Sequence, residues 1–213
     1  MTRRRGSGIL PGMTQPADPF VKFRGWLLWA RRVHRREYTA AALATVGLDG
    51  APDVRMVLLK GFDTRGFVFY TNLESRKAQQ LAADPRASLC FFWNPVFFFK
   101  LPKYHQVRVD GRCSLVSEAE ADAYFATRAR GSQIGAWASP QSRVIATRAE
   151  LEAQFREFER KFAGQKVPRP PYWSGYRLAA ERIEFWTSRL NRLHDRELYT
   201  RQGDGWKVEV LAP

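Results

Sequence analysis

The order of the strand-like segments constrains the fold of this chain more than any other feature. Five short runs rich in β-branched and aromatic residues are predicted as strands at residues 40–46, 54–60, 66–72, 86–93 and 105–116, and three more follow, of which the first begins at Tyr176. Helical segments fall mainly between these two groups, without the strict alternation that is typical of a parallel doubly wound sheet. The pattern therefore predicts a mainly β protein of the α+β class, in which an antiparallel sheet or barrel carries peripheral helices.

Capping residues mark the starts of the predicted helices. Asp18 followed by Pro19 predicts a first helix of about four turns. The segments S-E-A-E, from Ser117, and T-R-A-E, from Thr147, are capping boxes that predict two more helices. Residues 1–17 show no periodicity and are interpreted as a flexible basic N-terminal arm, which leaves residues 18–213 as a single domain.

The positive charge of the chain narrows the class of its partners. The 213 residues include 35 Lys and Arg against 21 Asp and Glu, which gives a formal net charge of +14. Such an excess favours anionic partners, namely nucleic acid, an acidic surface or phosphorylated small molecules. A basic surface that is merely solvated accounts for the net charge equally well. The positions of the cations in the sequence must therefore distinguish the two explanations.

The cysteines and histidines indicate neither a disulfide framework nor a metal site. The chain has only Cys90 and Cys113, and its 3 histidines do not follow a zinc-ligand spacing. No apolar stretch reaches transmembrane length, and the basic N-terminus lacks the long apolar segment of a signal peptide. We therefore expect a reduced, cytoplasmic protein that does not span a membrane.

One short segment, N-R-L-H-D-R at residues 191–196, concentrates polar side chains. If it forms a β-strand, Arg192, His194 and Arg196 point to the same face. That arrangement is either a ligand-binding strip or a surface strand whose cations pair with the neighbouring acidic residues.

Two other segments are candidate phosphate sites. A short helix, predicted to be capped by Ser75, carries Arg76 and Lys77 in its first turn. The helix dipole disfavours cations there, and an anion would account for them. Farther along, Tyr124, Arg128 and Ser132 could form a phosphate clamp. The alternatives are an exposed Arg-Lys pair tolerated at small cost and a common Tyr-Arg contact on a helix surface.

Together these segments resemble the pyridoxine (pyridoxamine) 5'-phosphate oxidase family. The similarity runs from P-A-D-P near residue 16 to the terminal L-A-P. Its strongest pieces are R-M-V-L-L-K, F-Y-T-N-L-E-S-R-K-A, S-Q-I-G-A-W, I-E-F-W and N-R-L-H-D-R. These five occur in the family's order, with fitting spacing between most of them.

The resemblance implies a homodimer with a split antiparallel β-barrel and FMN at the subunit interface. It also implies the oxidation of pyridoxamine 5'-phosphate and/or pyridoxine 5'-phosphate to pyridoxal 5'-phosphate, with O2 reduced to H2O2. The matching catalytic residues are Arg192 and His194. The matching substrate contacts are Lys60, Tyr124, Arg128, Ser132, Arg192 and His194. The matching FMN contacts are Arg55, Met56, Val57, Leu58, Leu59, Lys60, Tyr70, Thr71, Arg76, Lys77, Gln106, Gln141, Ser142, Trp186 and Arg196.

The sequence departs from the pattern of this family in three places. The stretch N-P-V-F-F-F-K-L-P-K-Y-H is longer than usual, and His105 stands where an arginine is common. The inserted phenylalanines either cover the dimer interface, reshape the flavin pocket or form an exposed patch. The N-terminal arm lacks the R-x-x-Y element that folds over the substrate in relatives. Thr187 and Ser188 replace a usual Gln-Gly pair.

Two other classes of function compete with the oxidase interpretation. A split-barrel flavin reductase, or a flavin- or vitamin B6-binding protein, would keep the fold and take a different substrate, but the retained substrate contacts argue against it. A basic nucleic-acid-binding module is the other class, and no recognised nucleic-acid motif supports it. We therefore expect phosphorylated B6 vitamers and O2 as partners, and neither a membrane nor a specific nucleic acid.

Overall fold

The computed structural model describes residues 18–33, 37–94 and 103–213, so the expected N-terminal arm and the phenylalanines at 97–99 lie outside the described residues. Its strands are β1 Ala40–Val46, β2 Pro52–Leu58, β3 Gly61–Asp63, β4 Gly66–Asn72, β5 Arg86–Trp93, β6 His105–Leu115, β7 Trp173–Thr187, β8 Asp195–Gln202 and β9 Gly205–Val210. Its helices are α1 Pro19–Val33, α2 Arg76–Ala83, α3 Glu118–Thr127, α4 Arg130–Ala138 and α5 Arg148–Lys161, and a 3₁₀ turn spans Leu190–Arg192.

The strands form one sheet in which every described pair is antiparallel. The main order is β2-β1-β5-β6-β7-β4-β3, and β8 and β9 continue from β7. The chain passes from β2 to β3 through only Leu59 and Lys60, and the Lys60 N–H donates to the Val68 carbonyl at 2.8 Å. The two ends of the strand order are therefore consecutive in the chain, which curls the sheet into a barrel. The expected mainly β architecture with peripheral helices is confirmed.

The longest strand, β7, divides the sheet. One edge of β7 pairs with β6 along most of its length, whereas the other edge pairs with β4 at residues 173–178 and with β8 at residues 182–187. A β-bulge between Asp110 and Gly111 of β6 falls where the partner changes. A Cβ at Gly111 would lie 1.9 Å from the Ala179 carbonyl oxygen, so the close approach of the two backbones requires glycine. The two ends of β7 therefore belong to different parts of the molecule.

The main hydrophobic core lies inside the barrel and under α1. Phe23 of α1 is fully buried, and its ring centroid lies 4.9, 4.9 and 5.1 Å from those of Phe62, Phe67 and Phe91. Phe20 and Phe23 are buried at helical spacing, which fixes the face of α1 that meets the barrel. Burial of one phenylalanine of this kind stabilises the fold by roughly 2–3 kcal/mol.

A second cluster holds the helices that follow β6. Phe125 of α3, Ile134 of α4 and Phe162 pack together with Trp173 at the start of β7. This cluster fixes α3 and α4 beside the first half of β7. Within residues 18–33, 37–94 and 103–213, none of the helices has the length and apolar character that a membrane crossing requires.

The helix starts agree with the capping predictions, with one difference. The side chains of Ser117 and Thr147 accept from the backbone N–H groups of Glu120 and Glu150, each at 3.2 Å, as predicted. Ser75 immediately precedes α2, but its hydroxyl donates to the Asn72 carbonyl at 2.7 Å and caps no helical N–H group. The start of α2 therefore has amide groups that Ser75 does not satisfy.

His105, at the start of β6, packs between two tryptophans of α1. Its ring centroid lies 4.3 Å from that of Trp26 and 4.6 Å from that of Trp29. Its Nδ1 lies 3.1 Å from Thr187 Oγ1. Burial, with smaller contributions from Lys103 and other cations, lowers the pKa of His105 to about 4. The imidazole is therefore neutral in the folded protein near neutral pH.

The low pKa of His105 predicts that the protein loses stability as the pH falls from 6.5 to about 4. In this window the unfolded chain binds a proton on the imidazole and the folded chain does not, so protonation favours unfolding. Thermal unfolding of the protein across this range measures the loss. The substitution His105→Gln removes the titrating group and should flatten that part of the curve, and an unchanged slope in the variant would contradict the assignment.

Candidate functional site

A cavity of about 650 Å³ opens between β2, β4 and the helices α3 and α4. A volume of this size is typical of sites for small molecules. The predicted contacts that line it are Met56, Val57, Leu58, Lys60, Tyr70, Thr71, Lys77, Tyr124, Arg128, Ser132 and Gln141. The fold therefore gathers side chains from four distant segments of the sequence around one cavity.

Lys77, in the first turn of α2, is a cation surrounded by neutral oxygens. Its Nζ lies 3.2 Å from Thr71 Oγ1, 3.3 Å from Ser75 Oγ and 3.1 Å from Gln141 Oε1. No described carboxylate forms an ion pair with it. Burial, and secondarily the nearby Arg55, lowers the pKa of Lys77. A cation held in this way, at the amino end of a helix, is suited to an anionic ligand.

Arg128, immediately after α3, lines the cavity and has an unused hydrogen-bond donor. Its Nη1 is buried and has no hydrogen-bond partner among the described residues. The guanidinium carbon lies 4.8 Å from the ring centroid of Trp173 and 5.5 Å from that of Phe125. Burial lowers the pKa of Arg128, while Tyr124 acts in the opposite direction. A buried donor without a partner is costly, so this geometry also favours an anion in the cavity.

Three aromatic rings form a wall of the same cavity. Tyr70 stacks on Tyr124 with centroids 4.0 Å apart, and on Trp173 with centroids 5.2 Å apart. Burial, and then the negative charge of Glu120, raises the pKa of Tyr70 to about 12. The Tyr70 hydroxyl therefore keeps its proton near neutral pH and can act as a hydrogen-bond donor.

The stack depends on a glycine of β7. A Cβ at Gly175 would lie 2.7 and 2.8 Å from two ring carbons of Tyr70. We expect Gly175→Ala to displace the ring and to lower the free energy of unfolding by about 1–2 kcal/mol. Urea denaturation measures the change. Gly25→Ala is the matched control, because nothing lies within 4 Å of its Cβ position, and a drop of equal size in that variant would refute the steric explanation.

Arg55 and Arg76 do not line the cavity. Arg55 lies 2.9 Å from Asp53 and donates at 2.8 Å to Gln80 and at 2.6 Å to Thr45. Arg76 lies 2.9 Å from the same Asp53 carboxylate. A hydrogen bond from Gln80, together with both arginines, lowers the pKa of Asp53. A contact of either arginine with FMN stays a prediction from the resemblance.

Three other predicted FMN contacts form a second group at the far end of β7. Gln106, Trp186 and Arg196 are direct neighbours across β6, β7 and β8. Trp186 lies thirteen residues from Trp173 along β7, which corresponds to roughly 40 Å in an extended strand. Trp173, which lines the cavity, and this second group therefore lie at opposite ends of β7.

The strip from residue 191 to residue 196 is not one continuous strand, so the expected alternation is wrong there. Asn191 and Arg192 lie in a 3₁₀ turn with φ of 55° and 63°, and β8 begins only at Asp195. Two successive left-handed residues store backbone strain, which is characteristic of functional loops. Arg192 and His194 therefore project from a loop that precedes β8.

The hydrogen bond to His194 fixes the arrangement of its ring protons. The backbone N–H of Arg189 donates to His194 Nδ1 at 3.1 Å, and the ring lies 4.6 Å from that of Trp186. With Nδ1 acting as the acceptor, the neutral imidazole carries its proton on Nε2. In this state His194 offers a hydrogen-bond donor to a ligand.

Two predicted contacts occupy other positions, and several cavity residues were not predicted. Leu59 is buried in the main core, and Ser142 lies in the loop after α4 with φ of 69°. The unpredicted lining residues are Asn72, Ala129, Gly135, Ala136, Ser139 and Trp173. Small residues recur along α4 with the spacing of one helix face, and this signal could have revealed the helix surface that makes room for a ligand.

Two protein-family models match the chain. The model described as "Pyridoxamine 5'-phosphate oxidase" matches residues 32–162. The model described as "Pyridoxine 5'-phosphate oxidase C-terminal dimerisation region" matches residues 173–213. The first match contains almost all of the cavity, and the second contains the second half of β7 and the loop that carries Arg192.

Named relatives match nearly the whole length. The pyridoxine/pyridoxamine 5'-phosphate oxidase of Myxococcus xanthus is 53% identical over 198 residues, which cover 93% of this chain and 93% of the relative. The protein of the same name from Rubrobacter xylanophilus is 53% identical over 196 residues, which cover 92% of this chain and 87% of the relative.

Solved structures share the fold. PhzG from Burkholderia lata, in complex with tetrahydrophenazine-1-carboxylic acid, has a TM-score of 0.84 at 32% identity and covers 94% of this chain and 95% of its own. A pyridoxamine 5'-phosphate oxidase-related, FMN binding protein from Nostoc punctiforme has a TM-score of 0.71 at 20% identity, with coverage of 93% and 100%. These similarities confirm the expected split-barrel fold.

Proposed function

The chain belongs to the pyridoxamine 5'-phosphate oxidase family, and from this premise we propose that it oxidises pyridoxamine 5'-phosphate and/or pyridoxine 5'-phosphate to pyridoxal 5'-phosphate. O2 is the electron acceptor and becomes H2O2, with FMN as the cofactor. The amine substrate also requires water and releases ammonia, which balances the reaction.

The observation that carries this proposal is the presence in one cavity of two partly buried cations that have no ion-pair partner among the described residues. Lys77 lies in the first turn of α2 and Arg128 immediately follows α3. Both line the cavity, and neither forms an ion pair with a described carboxylate. A flavin mononucleotide and a B6 phosphate each bring one phosphate. Two phosphates would therefore balance two partly buried cations, which otherwise raise the free energy of the empty site.

The residues present fit FMN at the Lys77 end of the cavity. Lys77, Thr71 and Gln141 would hold its phosphate beside the amino end of α2. Bound FMN supplies the redox chemistry, by which two electrons and a proton leave the C4' carbon of the substrate and are passed to O2. The protein's own contribution is to orient the substrate and to exclude competing solvent.

The other phosphate belongs to the substrate in this proposal. Arg128 and Ser132 would bind it, and the stacked rings of Tyr70 and Tyr124 would form the adjacent wall. The guanidinium of Arg192 has only hydrogen-bond donors and can therefore stabilise negative charge, whereas the Nε2–H of His194 can donate to an oxygen substituent of the substrate. His194 would have to release its Arg189 contact before it could take a proton at Nδ1.

We infer that two copies of the chain share each site. Phe92, Gln106, Trp186 and Arg196 form one row across four strands, and Met56 of the cavity lies on the same face of the sheet. Met56 and Phe92 are 65% and 54% exposed, so apolar side chains of this face are uncovered in a single chain. A partner related by two-fold symmetry would cover it and bring its own second group towards the cavity. The match to a dimerisation region supports this arrangement.

Purified protein tests the function directly. We expect it to be yellow, to be stabilised by added FMN and to convert the phosphorylated vitamers to the aldehyde with consumption of O2. A colourless protein that FMN does not stabilise would overturn the proposal. A yellow protein without turnover would instead indicate a flavin-binding relative with another substrate, and tetrahydrophenazine-1-carboxylic acid, the ligand of the similar Burkholderia structure, is then the first compound to assay.

We propose that the protein is located in the reducing cytoplasm, and the argument rests on its two cysteines. Cys90 and Cys113 are both free, and burial raises the pKa of Cys113 to about 12. Free cysteines are typical of compartments that keep thiols reduced. Cell fractionation tests the location.

A further inference from the structure

Glu184 of β7 is a buried carboxylate on the sheet face that carries the second group. It is only 3% exposed. Its Oε1 accepts from Arg196 Nε at 2.7 Å, and its Oε2 lies 2.9 Å from Arg108 Nη2. Burial of a carboxylate is costly unless partners compensate it. The charge-assisted hydrogen bond from Arg196 compensates Oε1, whereas Oε2 lies near Arg108 without a hydrogen bond among the described residues, so Arg196 is the guanidinium that Glu184 holds in place.

Arg196 is held from a second direction by the end of the chain. Its Nη1 donates to the Ala212 carbonyl at 2.9 Å, and its own carbonyl accepts from the Leu211 N–H at 3.0 Å. Its Nη2 makes no hydrogen bond to another residue in the part of the chain that the structure describes. Glu184 and the Ala212 carbonyl therefore fix the plane of the guanidinium and leave one nitrogen for a ligand.

We propose that Glu184 is a positioning residue of the flavin site, which holds Arg196 in the orientation that binds FMN. The inference rests on the proposed function. Glu184 does not touch the flavin itself and acts through Arg196. The same argument makes the C-terminal segment, through Ala212, a structural part of the cofactor site.

Titration of FMN into apoprotein, followed by the quenching of flavin fluorescence, tests the proposal. The substitution Glu184→Gln keeps the shape and removes the charge, and we expect it to raise the FMN dissociation constant about tenfold or more. Arg196→Ala should give a similar loss. The double variant should lose no more than Arg196→Ala alone, because both changes remove the same contact. The visible spectrum of bound flavin should shift in the same way in both single variants.

A matched control and a second variant make the outcome decisive. Asp110→Asn removes another carboxylate near Arg108 without touching Arg196, and it should leave the FMN affinity and the flavin spectrum unchanged. Losses that multiply in the double variant, or an unchanged affinity in Glu184→Gln, would overturn the proposal. If Glu184→Gln does not fold, Glu184→Asp is the second variant, because it keeps the charge on a side chain that is one methylene shorter. Wild-type FMN affinity in Glu184→Asp would also overturn the proposal. Wild-type protein that does not bind FMN would instead refute the proposed function.

Discussion

Replacement of Lys77 by alanine is expected to raise the FMN dissociation constant by about 10- to 100-fold, which corresponds to the loss of a charge-assisted contact of roughly 1.5–3 kcal/mol. The cavity holds Lys77 with three neutral oxygens, so most of its favourable interaction depends on the anion. The apoprotein should be as stable as the wild type or more stable, because the substitution removes a cation whose pKa is lowered by burial. Only the FMN-bound form should lose stability.

Fluorescence titration and thermal unfolding, with and without FMN, measure these opposite effects. Lys166→Ala is the matched control, since Lys166 is exposed and outside the cavity. Arg76→Ala should cost less than Lys77→Ala, because the Arg76 side chain is 70% exposed and paired with Asp53. An unchanged dissociation constant in Lys77→Ala, or a loss of apoprotein stability equal to that of the FMN-bound form, would exclude Lys77 as the phosphate contact.

Replacement of Arg128 by alanine should raise the KM for the phosphorylated substrate about 100-fold, or roughly 3 kcal/mol, with little change in FMN affinity. The physical reason is that Arg128 lines the cavity without a carboxylate partner among the described residues, so its guanidinium is available for a phosphate. Arg128→Lys keeps the charge but loses the planar guanidinium, which can donate two parallel hydrogen bonds to a phosphate. We therefore expect an intermediate KM.

Steady-state kinetics on the phosphorylated substrate and on the unphosphorylated vitamer distinguish binding of the substrate phosphate by Arg128 from a general loss of structure. The unphosphorylated vitamer should be a poor substrate for the wild type, and the substitution should hardly alter its KM. Arg148→Ala, at a side chain that is 87% exposed, is the control for lost surface charge. Equal losses for both substrates, or an equal loss of FMN affinity, would show that Arg128 does not bind the substrate phosphate.

Local sequence patterns predicted much of the sheet because apolar runs bounded by turn residues are local signals. The strands β1, β4 and β5 begin and end at the predicted residues. The three residues of β3 are too few to show a period, and β7 starts at Trp173 rather than at Tyr176, within a segment whose prolines masked the strand. The loop at Asn191 could not be predicted, because its left-handed residues are not glycines.

The candidate site was predicted as a set of residues but not as a geometry. The resemblance selected Arg55, Arg76 and Lys77 together, and only the structure distinguishes Lys77, in the cavity, from two arginines that pair with Asp53. Contacts such as Lys77 to Gln141, 64 residues apart, depend on tertiary packing that no local pattern contains. The separation of the two groups along β7 likewise required the register of the sheet.

The division of β7 between two sites has a genetic consequence. In the proposed dimer, an allele damaged at Lys77 and an allele damaged at Arg196 should complement each other when both are expressed. A mixed dimer would place both lesions in one site and leave the other intact, so random pairing would restore about a quarter of the sites. Two alleles damaged at the same end of the strand should not rescue each other. The pattern of complementation between pairs of alleles would then show which residues of the two chains share a site.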